Sequence, residues 1–250
     1  MTNFHSMALL ESISSPIDAT GLDVEHAKLL IDCGTDVRFA LEEAKIDPFS
    51  IDAVYISHLH ADHCGGLEWF AFKRYFTQYP QKPILYAHPA VMALLWDHMK
   101  AGMALGHQKT QLNTFFDVRP VEQFYVGLAR LNAVQTVHFY DGSTLMPSFG
   151  LRITEGKHSA FFSGDTQFCP SLYSPFYQEA SLIFHDCEIY DWQNDKLKSG
   201  VHAHYSDLRK LPSDIKSKMW LYHYQDGDLP PNDGFAGFVK KGAEFNFDCV

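Results

Sequence analysis

The sequence predicts an α/β protein in which short buried strands alternate with helices. Apolar runs of three to five residues, rich in β-branched and aromatic side chains, recur along the chain and are typical of buried strands. The stretches between them place apolar residues at helical spacing on one face. In proteins of this class the functional side chains gather at the carboxyl ends of the strands, so we expect the site there.

The predicted strands share a second property, because each leads into a polar residue able to bind a metal. In chain order the strands are predicted at 28–31, 53–57, 133–137, 160–164, 182–184 and 219–222. The polar residues that follow them are Asp32, His58, His138, Asp165, Asp186 and His223. Helices are predicted over Asp36–Ala44, where apolar residues share one face, and over Pro89–Met99, where proline lies in the first turn. These strand ends suggest one shared site.

Length and composition predict a single domain over residues 1–250. The formal net charge is −10 and 46% of the residues are hydrophobic, so the chain can bury a sizeable core. An acidic surface repels phosphate backbones, so no stable nucleic-acid partner is expected. No apolar run approaches the ~20 residues of a membrane helix, and the first residues do not resemble a signal peptide. Five scattered cysteines fit free thiols in a reducing cytoplasm.

The strongest local signal is the segment His58-Leu59-His60-Ala61-Asp62-His63, which precedes Gly65-Gly66. His58 and His60 are two apart in an extended segment, so both point the same way and can hold one ion. Asp62 and His63, in the turn that follows, face a second position. Imidazole nitrogen and carboxylate oxygen suit zinc and tolerate manganese or iron. The alternative is a solvated histidine-rich turn, but the spacing, the preceding strand and the glycines favour a metal site.

This motif resembles the signature of the metallo-β-lactamase fold. The resemblance implies a four-layer αββα sandwich and two metal ions per subunit, zinc in the first place and manganese or iron as alternatives. It also implies that His138 completes the first metal's ligands, that Asp165 bridges the two metals and that His223 completes the second set. The family usually has a glycine-rich first strand before the segment at Asn3, and that strand is not evident here.

Taken without the family, the other candidate residues have ordinary explanations as well. His138 alone could be a surface histidine, and Asp165 after a glycine could open a turn. Asp32 is interpreted either as a carboxylate that orients a ligand histidine or as a strand-end turn residue. Cys64 and Cys187 lie near the site in sequence, and packing is the expected role of both.

A second motif, Val201-His202-Ala203-His204-Tyr205, resembles the histidine motif of the tRNase Z branch of this fold. In that branch a histidine that binds no metal acts as general acid on a phosphodiester. Matching the leucines downstream aligns His202 with it, while His204 remains the alternative, and Asp186 occupies the place of the carboxylate that orients it. A histidine held by a carboxylate keeps a defined tautomer and a raised pKa. The candidate catalytic residues are therefore Asp62, Asp186, His202 and His204.

The acid motif favours a phosphodiesterase over lactamase-type or glyoxalase-type hydrolysis. The segments from His138 to Asp165 and from Asp186 to Val201 are too short for the long arm with which tRNase Z grips tRNA. The overall pattern resembles the phage anti-Pycsar nucleases. This resemblance implies hydrolysis of 3′,5′-cyclic mononucleotides (cCMP and cUMP, with cAMP and cGMP as further substrates) to 5′-monophosphates in the host cytoplasm, which silences a bacterial immune signal.

Two alternatives remain: an arm-less tRNase Z-like endonuclease that processes RNA 3′ ends, and a non-catalytic nucleotide sponge. The resemblance also suggests a homodimer. The aromatic and basic segment Trp69–Phe76 could contact the base and the phosphate of a small nucleotide, but packing in the core or at a dimer interface is the stronger interpretation.

Overall fold

Two β-sheets organise the described part of the chain. The structure is a computed structural model, and it describes residues 8–15, 24–77, 81–106, 109–140, 142–193 and 197–246. The chain divides into two compact units, His5–Arg130 (the N-terminal unit) and Leu131–Val250 (the C-terminal unit). Strands alternate with helices in both units, which confirms the predicted α/β class. The prediction of a single domain stays a prediction.

The first sheet belongs to the N-terminal unit and has five strands in sequential order. They are β1 (Ala8–Ser15), β2 (Val24–Ile31), β3 (Ala53–Ile56), β4 (Ile84–Ala87) and β5 (Asp117–Pro120). β1 pairs antiparallel with β2, and the other neighbours are parallel. All residues of β3 and β4 are buried, as is usual for strands inside a parallel sheet. Ile31 pairs with Tyr55, so β2 and β3 end at the same edge of the sheet.

The helices of the N-terminal unit are α1 (Val37–Glu43), α2 (Ala61–Cys64), α3 (Leu67–Phe76), α4 (Pro89–Met103) and α5 (Leu112–Phe115). The predicted helices correspond to α1 and α4. Within α3, Phe70 and Arg74 are buried. The Arg74 guanidinium donates hydrogen bonds to the carbonyls of Pro48 and Ile51, so its charge is used inside the unit rather than on a phosphate.

The second sheet has seven strands in chain order. They are β6 (Gln123–Val126), β7 (Ala129–Gln135), β8 (Phe149–Glu155), β9 (His158–Phe162), β10 (Leu182–Asp186), β11 (Met219–Tyr222) and β12 (Gly237–Phe238). β8 and β9 are antiparallel, and β9 to β12 are parallel. Asp186 pairs with Tyr222, so β10 and β11 end side by side.

The core of the C-terminal unit is aromatic and fixes the loops at the strand ends. Its helices are α6 (Pro170–Glu179), α7 (Tyr205–Leu208) and α8 (Ser213–Lys216). Tyr173 of α6 is fully buried, and its hydroxyl lies 2.6 Å from the Thr166 hydroxyl and accepts the Val137 N–H at 3.1 Å. Since Val137 precedes His138 and Thr166 follows Asp165, this one side chain ties two candidate segments to α6.

The six predicted strands are all present and correspond to β2, β3, β7, β9, β10 and β11. The predictions at 53–57, 133–137 and 160–164 run one or two residues past the ends of β3, β7 and β9. The question of a strand before Asn3 falls on Met1–Met7, outside the described residues. No helix in the described ranges is long and apolar enough to cross a membrane.

Candidate metal and catalytic site

Three imidazoles of the N-terminal unit meet at the end of β3. The backbone is extended at His60 and then makes the single turn of α2. The ring centroids of His58 and His60 lie 4.8 Å apart, and those of His58 and His63 lie 4.1 Å apart. The Asp62 carboxylate lies 3.5 Å from Nε2 of His63. The turn therefore gathers donors that are close in sequence into one cluster.

A buried carboxylate, Asp32, orients this cluster. Its Oδ2 accepts the His63 Nδ1–H and the Ser57 hydroxyl, both at 2.8 Å, and its Oδ1 accepts the Ser57 N–H. Because the Ser57 hydroxyl proton is directed at Asp32, its oxygen accepts from Nδ1 of His58 at 3.0 Å. Burial raises the pKa of Asp32, although His63 opposes that shift. Both imidazoles thus hold their protons on Nδ1 and present Nε2 as the ligand atom.

The glycines of the motif serve close approach rather than a tight turn. A Cβ atom on Gly34 would lie 1.9 Å from the Asp62 carbonyl oxygen, and one on Gly66 would lie 2.1 Å from the Gly34 carbonyl oxygen. The φ angle of Gly66 is −89°, so its backbone does not require glycine. Gly65 likewise has an ordinary φ of −66°, so lack of space rather than an unusual turn is the reason for glycine at both positions.

The C-terminal unit brings four candidates together. Asp165, Asp186, His202 and His223 each offer one ligand atom, and these atoms lie within 4.8 Å of one another. The parallel pairing of β9, β10 and β11 explains part of this, because Asp165, Asp186 and His223 come from their adjacent carboxyl ends. His223 has a φ of 64°, a left-handed conformation that is rare for histidine and is found preferentially at functional sites.

Asp186 connects the candidate acid with the candidate ligand. Its Oδ2 accepts the His202 Nδ1–H at 2.8 Å and the Thr166 N–H at 2.9 Å, while its Oδ1 lies 3.3 Å from Nδ1 of His223. Burial would raise the pKa of Asp186, but attraction to His202 and the hydrogen bonds with His202 and His223 together outweigh burial and lower that pKa. Burial would likewise lower the pKa of His202, but the charge and hydrogen bond of Asp186, together with the charge of Asp165, outweigh burial and raise that pKa. His202 is therefore suited to hold a proton at neutral pH.

His138 is oriented by the segment that carries His202. Its Nδ1 donates to the Val201 carbonyl at 2.8 Å, which leaves Nε2 as the ligand atom. That Nε2 lies 3.8 Å from the Asp165 carboxylate. The ring centroids of His138 and His202 are 5.1 Å apart, and those of His202 and His223 are 4.9 Å apart.

His204 has a different environment from His202. Its Nδ1 interacts with the hydroxyl and the N–H of Ser206, so it caps α7, and its Nε2 donates to the Tyr190 carbonyl at 2.9 Å. His204 is 1% exposed, whereas the side chain of His202 is 17% exposed. The geometry therefore favours His202 over His204 as proton donor. Cys64 and Cys187 are fully buried, and burial raises the pKa of both thiols, as packing residues should show.

The donor chemistry fits divalent metal ions. Nδ1 of His58, His63 and His138 is engaged by a hydroxyl, a carboxylate and a backbone carbonyl respectively, the arrangement that metal-bound imidazoles normally have. Imidazole and carboxylate together suit zinc and also manganese or iron. Sequence reasoning missed Ser57, Thr166 and Val201 as orienting groups. Ser57 could have been found from the sequence, since it directly precedes the motif. The role of the Val201 carbonyl depends only on tertiary structure.

Comparison with known families identifies the chain. A protein-family profile described as "Anti-Pycsar protein Apyc1" matches residues 20–245. The chain belongs to this family. The Apyc1 protein of Paenibacillus harenae is 34% identical over 211 residues, which cover 82% of this chain and 81% of that protein. The Apyc1 protein of Bacillus phage BSP38 is 32% identical over 230 residues, with 87% and 86% covered.

Solved structures show which fold this Apyc1 family member has. The metallo-β-lactamase fold protein YhfI from Bacillus subtilis matches with a TM-score of 0.64 and 18% identity, covering 87% of this chain and 86% of that one. The short form of human tRNase Z matches with a TM-score of 0.58 and 18% identity, covering 90% and 93%. The predicted metallo-β-lactamase fold is confirmed. Family and fold support a metal-dependent phosphodiesterase, and the His/Asp clusters indicate divalent metal binding.

Proposed function

We propose that this protein hydrolyses 3′,5′-cyclic mononucleotides to 5′-monophosphates and so counteracts Pycsar signalling in the host cytoplasm. The observation that carries the proposal is the pair formed by His202 and Asp186, 2.8 Å apart, beside Asp165 and His223. This pair supplies the general acid that a phosphodiesterase needs. The relatives named as anti-Pycsar proteins, phage proteins among them, support cCMP and cUMP as the first substrates to test, followed by cAMP and cGMP.

The proposal assigns the metal ligands in two sets. His58, His60 and His138 would hold one ion, Asp62, His63 and His223 would hold the other, and Asp165 would contribute to both sets. Two divalent ions, zinc or alternatively manganese or iron, would activate a water for in-line attack and neutralise charge on the phosphoryl oxygens. Asp32, Ser57 and the Val201 carbonyl keep three of the imidazoles in the tautomer that such ions require.

The proton for the leaving group comes from His202. Its Nδ1–H stays on Asp186, so the proton that it can release is on Nε2. As the bond between phosphorus and the ribose 3′ oxygen breaks, Nε2 donates that proton to the oxygen, and the product keeps its phosphate at the 5′ position. Asp186 stabilises the imidazolium before the transfer and holds the ring in place during it.

The net charge of −10 supports a small substrate, since a polymeric RNA would bring many phosphates against an acidic protein. The test is a panel of cyclic mononucleotides, cyclic dinucleotides and precursor tRNA on protein of measured metal content, with the products identified. Turnover of cyclic mononucleotides to 5′-monophosphates is expected. Faster cleavage of precursor tRNA would favour the RNA-processing alternative, and release of intact ligand by metal-loaded protein would favour a sponge.

We also propose a homodimer. Support comes from the end of α3, where Tyr75 and Phe76 are 37% and 66% exposed in the single chain. Large exposed aromatic side chains are enriched at interfaces between subunits. Sedimentation analysis is expected to give twice the chain mass, and Phe76→Asp is expected to shift the protein toward the monomer.

A further inference from the structure

Glu188 is a buried carboxylate that the proposed mechanism does not use. It is 3% exposed and follows Asp186 by two residues, just beyond the end of β10. Its two carboxylate oxygens lie 2.9 and 3.2 Å from the N–H of Ser199, which donates to them. A carboxylate held in a nearly dry environment by a loop N–H makes a strong, charge-assisted hydrogen bond.

Ser199 passes this contact on to the turn that contains His202. The Ser199 hydroxyl oxygen accepts the N–H of Val201 at 3.2 Å and the N–H of His202 at 3.3 Å. The backbone of Glu188 adds two further bonds, since its N–H donates to the Ala203 carbonyl and its carbonyl accepts the Tyr205 N–H, both at 2.9 Å. The segment from Ser199 to Tyr205 is thus bound to Glu188 along its length.

Asp186 and Glu188 act on two different parts of the same residue. Side chains two apart in an extended segment point to the same side, so both carboxylates face the turn. Asp186 holds the His202 imidazole through Nδ1, whereas Glu188 holds the His202 backbone through Ser199. The same turn offers the Val201 carbonyl to His138.

We propose that Glu188 is a positioning residue for the reaction: it fixes the turn from Ser199 to His202 so that the imidazole of His202 lies on Asp186. The role of His202 itself rests on the proposed function. Misplacement of a catalytic group by about 1 Å can cost about 100-fold in rate, so a group that fixes the backbone of the acid affects kcat without touching the substrate.

The first test compares three variants by kinetics. Glu188→Ala removes both acceptors, and Ser199→Ala removes the hydroxyl at an exposed position where folding is not at risk. We expect both to lower kcat at saturating metal, by roughly 10- to 100-fold for Glu188→Ala, with KM unchanged. Glu188→Gln keeps one oxygen that can accept the Ser199 N–H, so it should retain most of the activity.

Matched controls are Glu179→Ala and Ser217→Ala, which remove an exposed carboxylate and an exposed hydroxyl elsewhere in the same unit. Both are expected to behave as the unmodified protein. If KM rises as kcat falls at saturating metal in Glu188→Ala and Ser199→Ala, the role of Glu188 is generally structural and the proposal is overturned.

A double-mutant cycle with His202→Ala tests whether Glu188 acts through His202. The effects of residues that work as a unit on kcat are not additive. Glu188→Ala should therefore lower kcat only slightly in the His202→Ala background. If Glu188→Ala lowers kcat by the same factor in the unmodified protein and in His202→Ala, the proposal is contradicted.

Hydrogen exchange separates this inference from the proposed function, because it needs no substrate. Amides of Ser199, Val201 and His202 should exchange faster in Glu188→Ala, while amides of β10 keep their protection. If the unmodified protein hydrolyses no cyclic nucleotide, the proposed function fails and exchange still decides the structural claim. Unchanged exchange at these three amides would rule out Glu188 as the group that fixes the turn.

Discussion

The Nδ1 atom of His63 lies 2.8 Å from Oδ2 of Asp32, and both side chains are almost completely buried. The C-terminal unit repeats this relationship, since Nδ1 of His202 also lies 2.8 Å from Oδ2 of Asp186. The chemical results differ. His63, a proposed ligand, is held so that Nε2 can bind a metal, whereas His202, the proposed acid, is held so that Nε2 can carry a proton.

Replacing Asp32 should weaken metal binding. Asp32→Ala leaves the His63 Nδ1–H and the Ser57 N–H without this acceptor, and loss of such an orienting group typically costs about 10- to 100-fold in metal affinity. Chelator competition with metal analysis measures the effect. Asp36→Ala is the control, because Asp36 is exposed and its side chain makes no capping hydrogen bond. Equal affinity in Asp32→Ala and Asp36→Ala would contradict the orienting role.

Alanine substitution should affect catalysis at His202 and stability at His204. His202→Ala removes the proton donor, so kcat should fall by roughly 10²- to 10⁴-fold with metal content retained. His204→Ala removes the cap of α7 and the bond to the Tyr190 carbonyl, so it should lower the free energy of unfolding by about 1 kcal/mol or more. Kinetics and thermal unfolding of both variants decide. A large loss of kcat in His204→Ala alone would assign the acid to His204.

The pH profile should report the pair of Asp186 and His202. His202 must be protonated to donate, so activity is lost as the pH rises through its pKa. Asp186 raises that pKa and thereby extends activity toward higher pH. Asp186→Asn removes the charge, so the falling limb of the pH profile of kcat should move to lower pH. The maximal kcat should also fall. A limb that stays in place in this variant would show that another group is titrating.

Gly34 should tolerate no side chain. Gly34→Ala would place Cβ 1.9 Å from the Asp62 carbonyl oxygen, so the backbone must shift, and we expect a loss of stability above about 3 kcal/mol together with weaker metal binding. Gly156→Ala is the control. Gly156 has a φ of 58° with no atom within 4 Å of an added Cβ, so only the left-handed strain of roughly 1–2 kcal/mol applies. Chemical denaturation should show a clearly larger loss of stability for Gly34→Ala than for Gly156→Ala. Similar losses of stability in the two variants would contradict the packing argument.

The sequence by itself determined the strands and the local metal motif. The strand at 53–56 is short, apolar and fully buried, and the run at 182–184 is apolar and buried except for the half-buried Phe184. Burial of such runs is the main force that forms a parallel sheet. The cluster from His58 to His63 was predictable because its members are neighbours along the chain, so one turn suffices to gather them.

Tertiary structure decided what acts at a distance. Asp32 meets His63 across 31 positions and Glu188 reaches Ser199 across 11, and no local pattern shows which carboxylate a folded chain will bring to which donor. The resemblance to the tRNase Z branch favours His202 but leaves His204 as the alternative, and only the folded chain directs the first to Asp186 and the second to Ser206 and Tyr190. The physical reason is that hydrogen-bond partners of buried groups are set by the packing of distant segments, whereas strand formation follows from the apolar content of each segment.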